Sequence, residues 1–152
     1  MMNSSQIPLG AHLLFFDGHC GLCEKSVQFV LRHDKKKVFL FAPLQGRFAS
    51  DFLAKHGKKA SLLDTVYVVR DYGTQRQSID TKSTAVFSML DILGGVWRMF
   101  TVGRVLKRSW ADAIYDALAS SRHSFFGTWK RCKVVPKVLQ ERFISDDIDV
   151  SL

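Results

Sequence analysis

One stretch constrains this chain more than any other. In residues 12–31 an unbroken apolar run, 13–16, meets an Asp17-Gly18 turn and then Cys20-Gly21-Leu22-Cys23 at the head of a helical pattern. Two cysteines three apart at a strand-to-helix junction are the sequence sign of a redox-active dithiol. At the first turn of a helix, residues i and i+3 share a face, so the two sulfurs can close a small ring without moving the backbone. The helix N-terminus carries about half a positive charge. That field favours a thiolate, the attacking species in disulfide exchange.

Each candidate residue has two readings. Cys20 is expected as the nucleophile, at the exposed end of the motif. Cys23, one turn in and more buried, is expected to resolve the mixed disulfide. The competing reading is a pair of unreactive core cysteines. Asp17 is a candidate acceptor for the Cys23 proton or a partner for His19. Buried and ionised beside Cys23, it would raise that thiol's pKa and act as a base for the second step. Equally, Asp-Gly is a turn-forming pair whose carboxylate bonds local N–H groups. His19, as imidazolium, would stabilise a thiolate; otherwise it is a solvent-exposed loop residue. Ser83 reads as an N-terminal cap or first-turn residue of a later helix. Cys132 is either a third redox thiol or a free structural cysteine.

The rest of the chain reads as alternating strands and helices. A helix over 21–33 is followed by a charged turn at 34–37 and an apolar strand at 38–42. A second helix covers 47–56 and ends at Gly57. A β-branched strand at 65–69, a polar edge strand at 75–79 and a helix at 83–93 complete a β-α-β-α-β-β-α order. Residues 1–11 are expected as a loose arm, 12–95 as the core, 96–145 as a helical extension packed on it, and 146–152 as an acidic tail. In the extension, Trp110, Ala113, Ile114, Ala117 and Leu118 form a stripe at helical spacing, and Pro136 suits the start of a last short helix.

Composition narrows the class. A chain of 152 residues is most simply one domain. Three cysteines are too few for a secreted disulfide framework, which favours a reducing compartment and a functional pair. No signal peptide is visible and no run approaches the ~18 apolar residues of a membrane span, so a cytoplasmic protein without a membrane span is expected. The net charge of +8 is uneven: residues 96–142 carry 10 Lys or Arg against 3 Asp or Glu. That surplus reads as a solvated basic face or as a surface for acidic partners. Phe125, Phe126 and Trp129 sit among Arg122, Lys130, Arg131 and Lys133, a pattern that can stack single-stranded nucleic acid but more often closes a core. Nucleic acid is not an expected partner.

The motifs resemble the DCC family of thiol-disulfide oxidoreductases, a thioredoxin-like group named for an Asp and two Cys. The matching residues are Asp17-Gly18-His19-Cys20-Gly21-Leu22-Cys23, Phe41-Ala42-Pro43-Leu44-Gln45, Lys82-Ser83-Thr84-Ala85-Val86 and Gly94-Gly95-Val96-Trp97. Tyr115, Arg122, Phe126-Gly127, Cys132, Pro136 and Arg142-Phe143 follow in order. The resemblance implies an α/β, thioredoxin-like fold with a C-terminal helical extension. It also implies a redox activity but supplies no substrate; the dithiol itself leads to the expectation of a thiol or disulfide substrate, protein or small thiol, a separate recycling reductant and no cofactor. A site-lining role for Ser83 comes from the resemblance alone. The chain departs from thioredoxins proper in having no proline before the strand at 65–69. Two other functions compete: a zinc module using Cys20, Cys23 and Cys132 with His19 or His123, and a basic interaction domain on the same scaffold.

Overall fold

The computed structural model describes residues 6–58, 65–105, 108–126 and 141–144. In chain order the elements are β1 (His12–Phe16), α1 (Gly21–His33), β2 (Phe39–Pro43), α2 (Arg47–Lys55), β3 (Tyr67–Arg70), β4 (Ser78–Thr81) and α3 (Lys82–Leu93). A 3₁₀ stretch (Gly95–Val105) and α4 (Arg108–Phe126) follow. The sheet order is β2-β1-β3-β4, with β1 parallel to β2 and antiparallel to β3, and β3 antiparallel to β4. This is the mixed α/β arrangement of a thioredoxin-like fold.

Alternation along β1 builds two cores. Leu13 and Phe15 point to one face, where they meet Phe52 and Leu53 of α2. Leu14 and Phe16 point to the other, against Val27 and Val30 of α1 and Ala85 and Met89 of α3. With both faces covered, β1 has no polar side, which is why its sequence reads as an unbroken apolar run.

Topology fixes where chemistry can collect. β1 and β4 run in the same direction, because each is antiparallel to β3. Both are followed by helices, so α1 and α3 begin at the same end of the sheet. The β4-to-α3 junction has no connecting loop: Thr81 is the N-cap of α3 and Lys82, its first residue, takes a left-handed φ of 53°.

Several boundaries differ from the sequence reading. Residues 75–77 belong to the turn after Asp71, held by Gln77 N–H donating to Thr74 O (3.2 Å), and β4 starts only at Ser78. Residues 6–11 are tied down rather than loose. Ile7 lies in the core, Gly10 N–H donates to Tyr72 O (2.8 Å), and Tyr72 N–H donates to Ala11 O (2.9 Å). The described part of the stripe on α4 faces outward: Trp110 and Ile114 are 67% and 56% exposed, and Ala113 and Ala117 are exposed beside them. The opposite face, with Asp112 and Tyr115, is the one turned toward the core. There Asp112 accepts a hydrogen bond from the Ser83 hydroxyl, and the Tyr115 hydroxyl accepts one from Val66 N–H (3.1 Å). Lys82 pairs with Asp116 at 2.8 Å. The expectations for Cys132, Trp129, Pro136, the acidic tail and the side chains of His123, Phe125 and Phe126 lie outside the described residues.

A short C-terminal segment returns to the sheet. Phe143 bridges Phe41 in parallel, and Ile144 N–H donates to Phe41 O at 2.8 Å. This occupies the outer edge of β2, which would otherwise offer unpaired backbone groups.

Candidate active site

Cys20 is the N-cap of α1 and Cys23 is its third residue. Side chains at these two positions face one another, as they do in a capping box. No side chain caps the helix by hydrogen bonding. Cys20 thus stands at the position where a capping Asp or Ser is usual, at the positive end of the helix. Sequence spacing alone placed both cysteines correctly on this turn.

Their order of exposure is the reverse of the expectation. Cys20 is only 3% exposed, whereas Cys23 is half-buried. The 3.6-residue helical period sets which way each sulfur points, but not what the rest of the chain lays over the helix start. Both cysteines are free thiols. The Cys23 thiol is hydrogen-bonded to Cys20, and this bond, followed by burial and the Cys20 charge, pushes the Cys23 pKa far up. The Asp17 backbone N–H works in the opposite direction, and the Asp17 carboxylate adds to the rise. The hydrogen bond to Cys20 and burial thus hold the proton on Cys23 more firmly than on an ordinary thiol.

The loop before the cysteines is held from β2. Because Phe16 pairs with Pro43 in the parallel register, the segments leaving β1 and β2 lie side by side, joined by Leu44 N–H donating to Phe16 O at 2.8 Å. Gln45 then reaches into the Asp17-Gly18-His19 loop. Its Oε1 accepts from Gly18 N–H (3.1 Å), and its Nε2 donates to Asp17 Oδ1 (2.7 Å) and contacts His19 Nδ1 at 3.0 Å. Asp17 Oδ1 also accepts from His19 N–H (2.9 Å), and the turn closes with Cys20 N–H donating to Asp17 O (3.3 Å).

The structure thus brings Asp17, His19, Cys20 and Cys23 together. Asp17 is buried and in its turn-forming role, with its charge felt at Cys23. His19 stands 58% exposed beside it, its Nδ1 3.8 Å from Asp17 Oδ1. Ser83 is buried at the start of α3, on the same end of the sheet, and is bound to Asp112 rather than presented to solvent. Gln45 carried no predicted role, though it stands among the motif residues of the resemblance. Asp112 is expected from the sequence only as the acidic end of a helix-start capping box, Ser-x-x-Asp at 109–112, whereas α4 already begins at Arg108 and Asp112 bonds Ser83. Among the described residues no group of three or more His, Cys, Asp or Glu side chains is arranged to hold a metal. Cys132, the third cysteine of the zinc reading, and the side chain of His123, its alternative to His19, lie outside them. No described helix is long and apolar enough to cross a membrane.

Comparison with known proteins points the same way. The chain is 30% identical over 143 residues to the uncharacterized protein YuxK of Bacillus subtilis, covering 94% of this chain and 99% of that one. It is 25% identical over 123 residues to a DCC family protein, chloroplastic, of Arabidopsis thaliana, covering 80% of this chain and 69% of that one. No solved structure matches it. The family model for DCC1-like thiol-disulfide oxidoreductases matches residues 14–128. With Asp17, Cys20 and Cys23 gathered at one helix start inside that span, the chain belongs to the DCC1-like thiol-disulfide oxidoreductase family.

Proposed function

We propose that Cys20 and Cys23 are the working pair of a thiol-disulfide oxidoreductase that acts through a mixed disulfide. The observation that carries this reading is the hydrogen bond that joins Cys23 to Cys20 at the N-cap of α1. A Cys20 thiolate there gains both that hydrogen bond and the field of the helix end. It attacks one sulfur of a substrate disulfide; the substrate S–S bond breaks, and the departing sulfur leaves as a thiolate that takes a proton from solvent. Cys23 then loses its proton and attacks the Cys20 sulfur. The second substrate sulfur leaves, the substrate has gained two electrons, and Cys20–Cys23 is a disulfide. An external thiol or dithiol reductant restores the pair by the same steps in reverse.

Within this scheme Asp17 is the acceptor for the Cys23 proton in the second step. Its carboxylate already acts on that thiol, and loss of the proton is the step the raised Cys23 pKa opposes. His19 and Ser83 modulate the site. The reading places the protein in a reducing compartment such as the cytoplasm, where the pair would be reset by cellular thiols.

The test is a titration in redox buffers with free thiols alkylated and counted by intact mass, beside single-cysteine variants. A two-thiol transition assigned to Cys20 and Cys23, between roughly −270 and −120 mV, is expected. Cys23→Ser should accumulate a mixed disulfide through Cys20, and Cys20→Ser should form none. A pair that never closes, or a Cys20→Ser protein that still reduces disulfides at the parent rate, would falsify the reading.

A further inference from the structure

Gln45 lies 26 to 28 residues from the loop it grips, yet every polar atom of its amide is engaged there. The partners fix which way the amide points. Gly18 N–H can only donate, so it must face Oε1. An ionised Asp17 carboxylate can only accept, so it must face Nε2. The amide nitrogen therefore also faces His19 Nδ1, and a donor there requires an acceptor opposite it. His19 Nδ1 must carry its lone pair and the ring proton must sit on Nε2. The close fit at Gly18 reinforces the arrangement: a Cβ on that residue would come within 3.3 Å of Gln45 Oε1.

We propose that Gln45 is a positioning residue of the redox site: it holds the Asp17 carboxylate in place and sets His19 as the neutral Nε2–H tautomer. This rests on Cys20 and Cys23 being the working pair. His19 Nδ1 is then committed as an acceptor to Gln45, where the imidazolium reading would need it as a donor. The Gln45 amide N–H donated to Asp17 Oδ1 partly offsets the carboxylate charge where it bears on the dithiol. Removing it strengthens that negative field, which disfavours the thiolate form of the reduced pair and makes the disulfide harder to reduce.

Two variants separate the parts. Gln45→Glu keeps the acceptor for Gly18 and loses both donors while adding a second carboxylate. Gln45→Met keeps the approximate length and loses the whole amide. The imidazole ¹⁵N spectrum at pH 8 should show His19 as a single Nε2–H tautomer in the parent and as a mixture in Gln45→Met. The dithiol–disulfide equilibrium constant against glutathione should move toward the disulfide by about tenfold in Gln45→Glu, ~30 mV for a two-electron couple, and by less in Gln45→Met. Thermal unfolding of each variant checks that it is folded, and Gln45→Met carries the comparison if Gln45→Glu is not. A parent His19 with its proton shared between both nitrogens overturns the proposal. So do equilibrium constants within twofold of the parent in folded variants, or a shift toward the dithiol. A parent pair with no reversible couple instead sinks the redox reading, and the ¹⁵N spectrum then reports Gln45 as a loop clamp only.

Discussion

Replacing Arg142 with Met should cost this fold about 3 kcal/mol. Arg142 is buried beside Asp34, the C-cap of α1, and its Nη2 donates to that carboxylate. Its Nε and Nη2 also donate to Phe39 O at 3.0 and 2.9 Å, and its guanidinium lies 5.2 Å over the Phe41 ring. Removing one member of a buried pair typically costs about 3–5 kcal/mol, because the other charge is left behind. Asp34 keeps two donors, Phe39 N–H (2.9 Å) and Val38 N–H (3.2 Å), which favours the lower end of that range. Methionine retains much of the packing on Phe41, so the loss falls on the polar contacts. For a chain of this size, ~3 kcal/mol corresponds to a Tm lowered by roughly 6–12 °C. Urea unfolding of Arg142→Met, Asp34→Asn and the double variant supplies the numbers as a cycle. The double variant should cost less than the two single costs added together, by 1 kcal/mol or more on the scale of about 0.5–3 kcal/mol for contacting residues. A single-variant cost under about 1 kcal/mol, or strict additivity, would show the pair to be no more than a surface-type contact and would refute the reasoning.

Two further perturbations probe the scaffold. His12 has its pKa lowered, chiefly by burial, and its Nδ1 accepts from Asp71 N–H at 3.2 Å. The folded state therefore favours the neutral ring. The unfolded chain binds the proton more readily between the lowered value and about 6.5, so this contribution is fully present above that pH and is lost as pH falls through the folded value. Unfolding free energies from pH 8 to 5 should fall less steeply in His12→Asn than in the parent; an identical slope would remove His12 from the account. Gly73→Ala should cost about 1–2 kcal/mol from its φ of 72°. A Cβ there would also come within 2.6 Å of Leu9 Cδ2, but Leu9 is 77% exposed and free to swing aside. Adding Leu9→Ala should therefore not restore stability, and a full rescue would show the clash, not the backbone, to be the cause.

The parts of this molecule that the sequence discloses are the local ones. The strand, the Asp17-Gly18 turn and the cysteine spacing all act within a dozen residues, so α1 begins where the pattern puts it, at Gly21, and ends at His33. What depends on distant partners was not legible. Asp34 opens a run of three lysines and reads as surface charge, yet it is buried, because Arg142 arrives from 108 residues away. Gln45 is marked only by its place in the Phe41-to-Gln45 motif and by no local chemistry; the parallel pairing of Phe16 with Pro43 brings it to the Asp17 loop. On α4 the periodicity of Trp110 and Ile114 marks a face correctly but not its direction. The helix docks through Asp112, Tyr115 and Asp116, so the polar face is the one that makes the contacts.

Those three α4 residues bear on how the proposed chemistry would run. They grip Ser83, Val66 and Lys82, all at the end of the sheet where α1 begins, and α4 packs against both α1 and α3. The cysteines emerge at that same end, and the one assigned as nucleophile is the better shielded of the two. Disulfide exchange needs the attacking sulfur in line with the S–S bond it breaks, and a cysteine only 3% exposed offers little such approach to a bulky substrate. The observed rate is then an intrinsic exchange rate multiplied by the population of a locally opened form. Each 1.4 kcal/mol spent in opening lowers that rate about tenfold. The same shielding protects a reduced Cys20 from oxidants between turnovers, since oxidation of a cysteine follows its exposure as well as its thiolate character. A buried nucleophile beside a protonated partner is thus a coherent resting state for a dithiol enzyme, with reactivity limited by access as much as by the thiolate itself.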